Sequence, residues 1–206
     1  MVSSYPVQFD VDFPQRPLNR LTTAFRFLVA IPIVVVLTML SGETFGDSDH
    51  RTTNELVIGG AAVFVPLVLM LVFRQKYPRW WFDWNLNLMR FSNRVTAYLA
   101  LLDDRYPSTD EDQSVHLDFP YPDARQMNRW LPLVKWFLAI PHYFVLLFLG
   151  VGALGAVVLA WFAILFTGTY PRSLFDYVVG VIRWINRVNG YAFTLITDQY
   201  PPFSLR

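Results

Sequence analysis

The chain has 206 residues, 54% hydrophobic and 16% charged, against roughly a quarter charged in ordinary soluble domains. Mean hydropathy is +0.33 and formal net charge only +1, which excludes a global basic field for nucleic acid and points to a membrane. With no cysteine, disulfide frameworks, thiolate nucleophiles and zinc-thiolate sites are excluded as well.

In chain order, the N-terminal segment lacks a basic stretch followed by an apolar core, so insertion is expected to rely on internal spans. Val7, Phe9, Val11 and Phe13 alternate with polar residues, the period of a strand. Apolar runs then predict membrane helices at about 24–41 and 56–74, with the polar insert 41–55 between them. Arg26, like Lys135 further on, is expected to snorkel to the headgroups and Pro32 to kink its helix. His50 stands beside Asp47 and Asp49, but the spacing matches no recognised metal site, and no metal or other cofactor is expected.

The segment 79–102 predicts an amphipathic helix. Arg79, Asp83, Asn87, Arg90 and Arg94 fall along one side, and Trp81, Trp84, Leu88, Phe91, Val95, Tyr98 and Leu102 form the other stripe. A second lead-in follows, with Val115, Leu117 and Phe119 alternating. Residues 136–171 then carry no charged side chain, too many for one ordinary span, so two spans at about 133–150 and 153–170 are expected, joined by a tight hairpin at "GVGALG", 150–155. Pro141 predicts a second kink. Small residues at Gly59, Gly60, Ala61 and Ala62, and at Gly152, Ala156 and Ala160, suit close helix packing within the monomer or in an oligomer. The chain closes with another amphipathic helix, 172–196.

The second half rewrites the first. At an offset of 109, Asn19-Arg20 matches Asn128-Arg129, Arg26 matches Lys135, and "LVAIP" matches "LAIP". At an offset of 93, "YPRWWFD" matches "YPRSLFD" and "RFSNRVTAY" matches "RWINRVNGY". Asp12-Phe13-Pro14 matches Asp118-Phe119-Pro120, and "DRYP" matches "DQYP". The resulting expectation is an all-α membrane protein of four transmembrane helices in two parallel two-span repeats, 7–108 and 113–203, each followed by an amphipathic cytoplasmic-surface helix and preceded by a strand-like lead-in. Of the Lys and Arg residues only Arg51 lies in the polar insert, which predicts a multi-pass protein of the cell membrane with both termini cytoplasmic.

No glycine-rich phosphate loop, HExxH or nucleophile elbow is present. No catalytic residue is assigned and the chain is not expected to be an enzyme. The candidate site is the repeated phrase: Arg90, Asn93 and Arg94 with Arg183, Asn186 and Arg187, as two related sites for anionic lipid headgroups or a partner, since a guanidinium donates two parallel hydrogen bonds to phosphate. The competing reading has Asp83 and Asp176 neutralise these arginines inside the fold. Expected partners are membrane lipids and a membrane-protein complex or a homo-oligomer, with no nucleic acid. The function read from this is an accessory or scaffold protein that uses its basic-aromatic helices and open strand edges; the alternative is an oligomeric lipid or small-solute transport protein or pore.

The double pattern "LAIP … YPR..F … R[FW].NRV..Y … D.YP" resembles a family of bacterial multi-pass membrane proteins of unknown function that carry this repeat, over most of residues 9–203. The resemblance implies an integral protein of a bacterial inner membrane and carries over no activity and no catalytic residue. The copies diverge at their ends, "RYPSTDED" against "QYPPFSLR".

Overall fold

The computed structural model describes residues 5–41, 66–109 and 111–206. His50 with its aspartates, the small run at Gly59–Ala62 and nearly all of the polar insert lie outside the described residues. Two strands, β1 (Gln8–Val11) and β2 (Val115–Asp118), pair antiparallel with Phe9 opposite Leu117. Their alternation decides their faces: Val7, Phe9, Val11, Val115, Leu117 and Phe119 are buried, while Gln8, Asp10, His116 and Asp118 face solvent.

Helix α1 (Arg20–Ala24) starts where the Asn19 side chain accepts the Leu21 and Thr22 N–H groups, satisfying donors that a helix start otherwise leaves unpaired. Phe25 separates it from α2 (Arg26–Ser41). Residues 66–69 form a helical turn that leads into a π-helical turn, Met70–Arg74, ended by Gln75 in the left-handed conformation. Helix α3 (Arg79–Leu99) follows Pro78, and α4 (Leu131–Leu138), α5 (Ile140–Thr167) and α6 (Arg172–Ala192, after Pro171) complete the chain.

The four expected spans are not found among the described residues. Among the described residues one stretch, Leu131–Thr167, is long and apolar enough to cross a membrane. Of the expected span 24–41, Ala24 ends α1 and Arg26–Ser41 is α2. Of the expected span 56–74, the described part is the turn at 66–69 and the π-helical turn.

The expected spans 133–150 and 153–170 are joined rather than folded into a hairpin, because α5 runs straight through Gly150, Gly152 and Gly155. Glycine alone does not end a helix in apolar surroundings, where each opened backbone hydrogen bond has no water to replace it. Termination comes only at Gly168, whose φ of 77° lets its N–H reach the Ile164 carbonyl. The 28 residues of α5 span about 42 Å. The break anticipated at Pro141 is real: α4 ends at Leu138, and Pro141 lies in the first turn of α5, where its missing N–H costs nothing. Pro32, by contrast, sits inside α2 without interrupting it.

One face of α5 packs on the rest of the protein. Its first half meets α6, where the Tyr177 hydroxyl donates to the Leu149 carbonyl at 3.0 Å. A Cβ at Gly152 would lie 2.6 Å from that hydroxyl and displace it; Ala156 and Ala160, four and eight residues on, are buried. Its second half meets α1, with Trp161 Nε1 donating to the Thr23 carbonyl and the Leu18 N–H to the Gly168 carbonyl. The opposite face leaves Phe144, Phe148, Val151, Leu154, Phe162 and Phe166 uncovered.

Helix α6 is covered rather than lying on a surface as expected, whereas the first half of α3 keeps Arg79, Trp80, Asp83, Trp84 and Asn87 exposed. In α6, Val178 through Ile182, Trp184, Asn186 and Arg187 are all buried, because α5, β1 and α3 cover it from different sides.

Spin labels at Phe144 and Phe162, both on the uncovered face, test the continuity of α5. Eighteen residues of unbroken helix separate their backbones by about 27 Å; a hairpin at 150–155 brings them to about 10 Å, the spacing of packed helices.

Candidate functional site

The repeated phrase brings its two asparagines face to face. Asn93 Nδ2 donates to Asn186 Oδ1 at 2.8 Å, and Asn186 Nδ2 donates to Asn93 Oδ1 at 2.7 Å. The second proton of each amide reaches its own helix, to the carbonyls of Met89 and Ile182. Every donor is used, so two buried amides bind α3 to α6 at one register.

The arginines three residues earlier reach across to the opposite lead-in. Arg90 Nε donates to the Leu117 carbonyl at 2.9 Å and its Nη2 faces Asp118 at 3.4 Å. Arg183 Nε donates to the Phe9 carbonyl at 2.8 Å and its Nη2 to Asp10 at 2.9 Å. Phe9 and Leu117 occupy the same place in their strands, so the lead-ins align as "VQFDV" with "VHLDF", an offset of 108. The Asp12-Phe13-Pro14 match misplaces them by two residues. Cation–π contacts follow the same offset, Arg79 over Tyr121 and Arg172 over Phe13. The outward carbonyls of Phe9 and Leu117 are thereby engaged, and these strand edges are not open at their centres. The neutralising carboxylates are Asp10 and Asp118, not Asp83 and Asp176; Asp176 meets Arg172 loosely, at 3.9 Å on an exposed surface.

Arg94 and Arg187 are buried and hold loops. Arg94 Nη1 donates to the Ser108 carbonyl at 2.8 Å, and Arg187 Nη1 to the Ser204 carbonyl at 3.2 Å. Burial, reinforced by the Arg183 charge, pulls the Arg187 guanidinium below its ordinary value; the neighbouring Tyr5 opposes this.

Sequence reasoning overlooked a second constellation. Arg26 does not snorkel. It is buried, donating Nη1 to the carbonyls of Tyr98 and Asp103 at 2.8 Å each, pairing Nη2 with Asp104, and lying 4.4 Å over the Tyr98 ring. Asp104 also accepts the Asn19 N–H at 2.7 Å. Lys135 is equally buried: Nζ meets Asp198 at 2.7 Å, donates to the Thr197 carbonyl at 2.8 Å, and lies 5.3 Å from the Tyr191 ring. Asp198 accepts the Asn128 N–H at 2.5 Å. Burial draws the Arg26 guanidinium below its ordinary value, and the Asp104 charge opposes it. In both places the chain turns toward the cation through a leucine with positive φ, Leu101 at 65° and Leu195 at 55°, a conformation that costs a branched residue about 1–2 kcal/mol. The signal was present in the sequence, since Arg26 matches Lys135, Tyr98 matches Tyr191 and Asp104 matches Asp198.

Of the histidines, His116 pairs with Asp12 at 3.0 Å on the surface. His142 is buried and its Nδ1 accepts from Trp184 Nε1 at 3.1 Å; the corresponding pair in the first half, Ile33 and Phe91, packs without polar atoms. No cluster of metal-ligating side chains occurs among the described residues.

Residues 130–204 match the model of a domain of unknown function, DUF4389. That stretch contains Lys135, His142, Arg183, Asn186, Arg187, Tyr191 and Asp198. No curated protein and no solved structure matches the chain.

Replacing one member of a buried pair strands the other charge. Asp104→Ala and Asp198→Ala should each lose about 3–5 kcal/mol of stability, read as a lowered unfolding midpoint in detergent. Lys135→Arg, which keeps the charge that Arg26 supplies in the first cradle, should lose much less.

Proposed function

We propose that the protein is a non-enzymatic accessory or scaffold protein, seated in a cell membrane and built from two copies of one unit that join across the asparagine pair. The duplication is supported by contacts that recur between matched residues of the two halves: the cation cradles, the arginine clamps on the strands and the buried amides. The observation that carries the membrane reading is α5. Its uncovered face presents Phe144, Phe148, Val151, Leu154, Phe162 and Phe166, more apolar surface than a water-exposed helix tolerates. Trp80, Trp130 and Trp136 are also exposed, as suits rings at a membrane interface.

Both described ends of the chain lie together, for the Tyr5 hydroxyl donates to the Gln199 carbonyl at 3.1 Å. This supports a reading with both on one side of the membrane, and the concentration of Lys and Arg outside the polar insert favours the cytoplasmic side. In this reading Asn93, Asn186, Arg90 and Arg183 hold the two units together, while Arg94 and Arg187 hold the loops that follow their helices. The scaffold reading draws support from the polar groups of the repeated phrase, which are spent on internal hydrogen bonds.

Two measurements test it. The protein should stay with the membrane fraction through an alkaline carbonate wash, whereas release into the supernatant would contradict the membrane reading. Affinity purification in mild detergent should yield a stoichiometric protein partner. A lone oligomer carrying bound lipid would instead favour the transport reading.

A further inference from the structure

The apolar stretch Leu131–Thr167 has charged groups beside its start, its middle and its end. At the start, Lys135 pairs with Asp198 at 2.7 Å, and the exposed Arg125 and Arg129 precede it. At the middle, the Leu149 carbonyl accepts from the Tyr177 hydroxyl at 3.0 Å, and the residue before Tyr177 is Asp176. That carboxylate and Arg172, one turn back on α6, are 63% and 72% exposed. At the end, the Gly168 carbonyl accepts the Leu18 N–H at 2.9 Å, and a Cβ at Gly168 would lie 3.7 Å from Arg20 Nε. The helix also has one covered side along its whole length. Ala139, His142, Ala156, Ala160 and Ile164 are buried, where α6 and then α1 pack on α5.

A crossing helix needs about 30 Å of hydrocarbon around it, and a charge exposed near the bilayer centre is costly. Leu149 is the midpoint of 131–167, so a crossing would hold Asp176 and Arg172 near that centre. The two ends are, moreover, equivalent places in the two halves. Asn128, before the start, donates its N–H to Asp198, and Asn19, beside the end, donates its N–H to Asp104. Cations mark both, which sets them on the same, cytoplasmic side. On the membrane reading given above, on which this step rests, we infer that α5 does not cross the bilayer but lies along its cytoplasmic leaflet. Phe144, Val151, Phe162 and Phe166 on the uncovered face enter the acyl chains of that one leaflet, and the covered face holds the charged part of the protein in water. Lipid suits this face because residues 144–166 carry no polar side-chain atom except in Trp161, which is spent on Thr23. No group remains there to orient a protein partner.

The chain has no cysteine, so single cysteines in the full-length protein report position without background. Gln126→Cys and Thr169→Cys, both at exposed positions, flank the apolar stretch and leave every cation in place. With the protein expressed in a bacterial inner membrane, an impermeant maleimide should label both in inverted vesicles and neither in intact spheroplasts. Spin labels at Phe144→Cys, Val151→Cys and Phe162→Cys in phosphatidylethanolamine–phosphatidylglycerol vesicles, read by access of oxygen and of a nickel chelate, should share one depth, about 5–10 Å below the headgroup boundary. A crossing helix puts Phe144 and Phe162 near opposite surfaces, about 27 Å apart along its axis, with Val151 deepest. That depth profile overturns the inference, as does labelling of the two cysteines from opposite sides or of both in spheroplasts, and each of these leaves the membrane reading intact. Nickel access as in water at all three spin labels overturns the inference and the membrane reading together.

Discussion

A pair of buried amides sets the geometry of the whole protein. Asn93 and Asn186 satisfy one another only if α3 and α6 meet at one height and one rotation, because a slip of either helix leaves amide donors and acceptors buried without partners, at about 1–3 kcal/mol per group. Once that register holds, Arg90 and Arg183, one helical turn away, point at the opposite strands. Each takes a backbone carbonyl and an aspartate from the lead-in of the other half. The strands are thus fixed by helices that follow them in one case and precede them in the other, which makes the fold an interlocked unit rather than two beads on a chain.

Outside this centre, each half repeats a smaller device. A cation buried near the start of an apolar helix is received by an aspartate, by carbonyls at the end of the amphipathic helix and by a tyrosine ring. Burying a charge costs several kcal/mol, and the number of acceptors gathered around Arg26 and Lys135 offsets that cost. It also explains why two leucines tolerate positive φ: the turn they make delivers the aspartate and the carbonyls to the cation. Helix α2 is tethered by charge at its start, and α5 through Lys135 of the preceding α4; along α5 the packing adds hydrogen bonds made by Tyr177, Trp161 and Trp184.

Much of this was legible in the sequence, for physical reasons that differ by element. The strands, α3 and α6 follow from period and from the Tyr-Pro marks before each helix; the echo of "NRV" at an offset of 93 marks both asparagines, but as members of two separate sites rather than as the one pair they form. The membrane topology was misread, because charge-free length was converted into a number of spans. A helix through Gly150–Gly155 keeps its backbone bonds whether or not glycine is present, so composition at that point could not separate a hairpin from a continuation. The arginines were read as facing outward because a helical stripe says which residues share a side, not which side is covered; here Asp10 and Asp118, remote in sequence, cover it. Arg26 and Lys135 were assigned to headgroups for the same reason, although their matched aspartates were in view.

The central claim is that the Asn93–Asn186 pair is one interaction joining two units, and a double-mutant cycle measures it. Asn93→Ala, Asn186→Ala and the double variant are unfolded in detergent and their stabilities compared. The account predicts that each single variant is destabilised, and that the double variant is less destabilised than the two together by about 1–3 kcal/mol, since no stranded amide remains. Additivity within about 0.3–0.5 kcal/mol, the behaviour of independent sites, would contradict it.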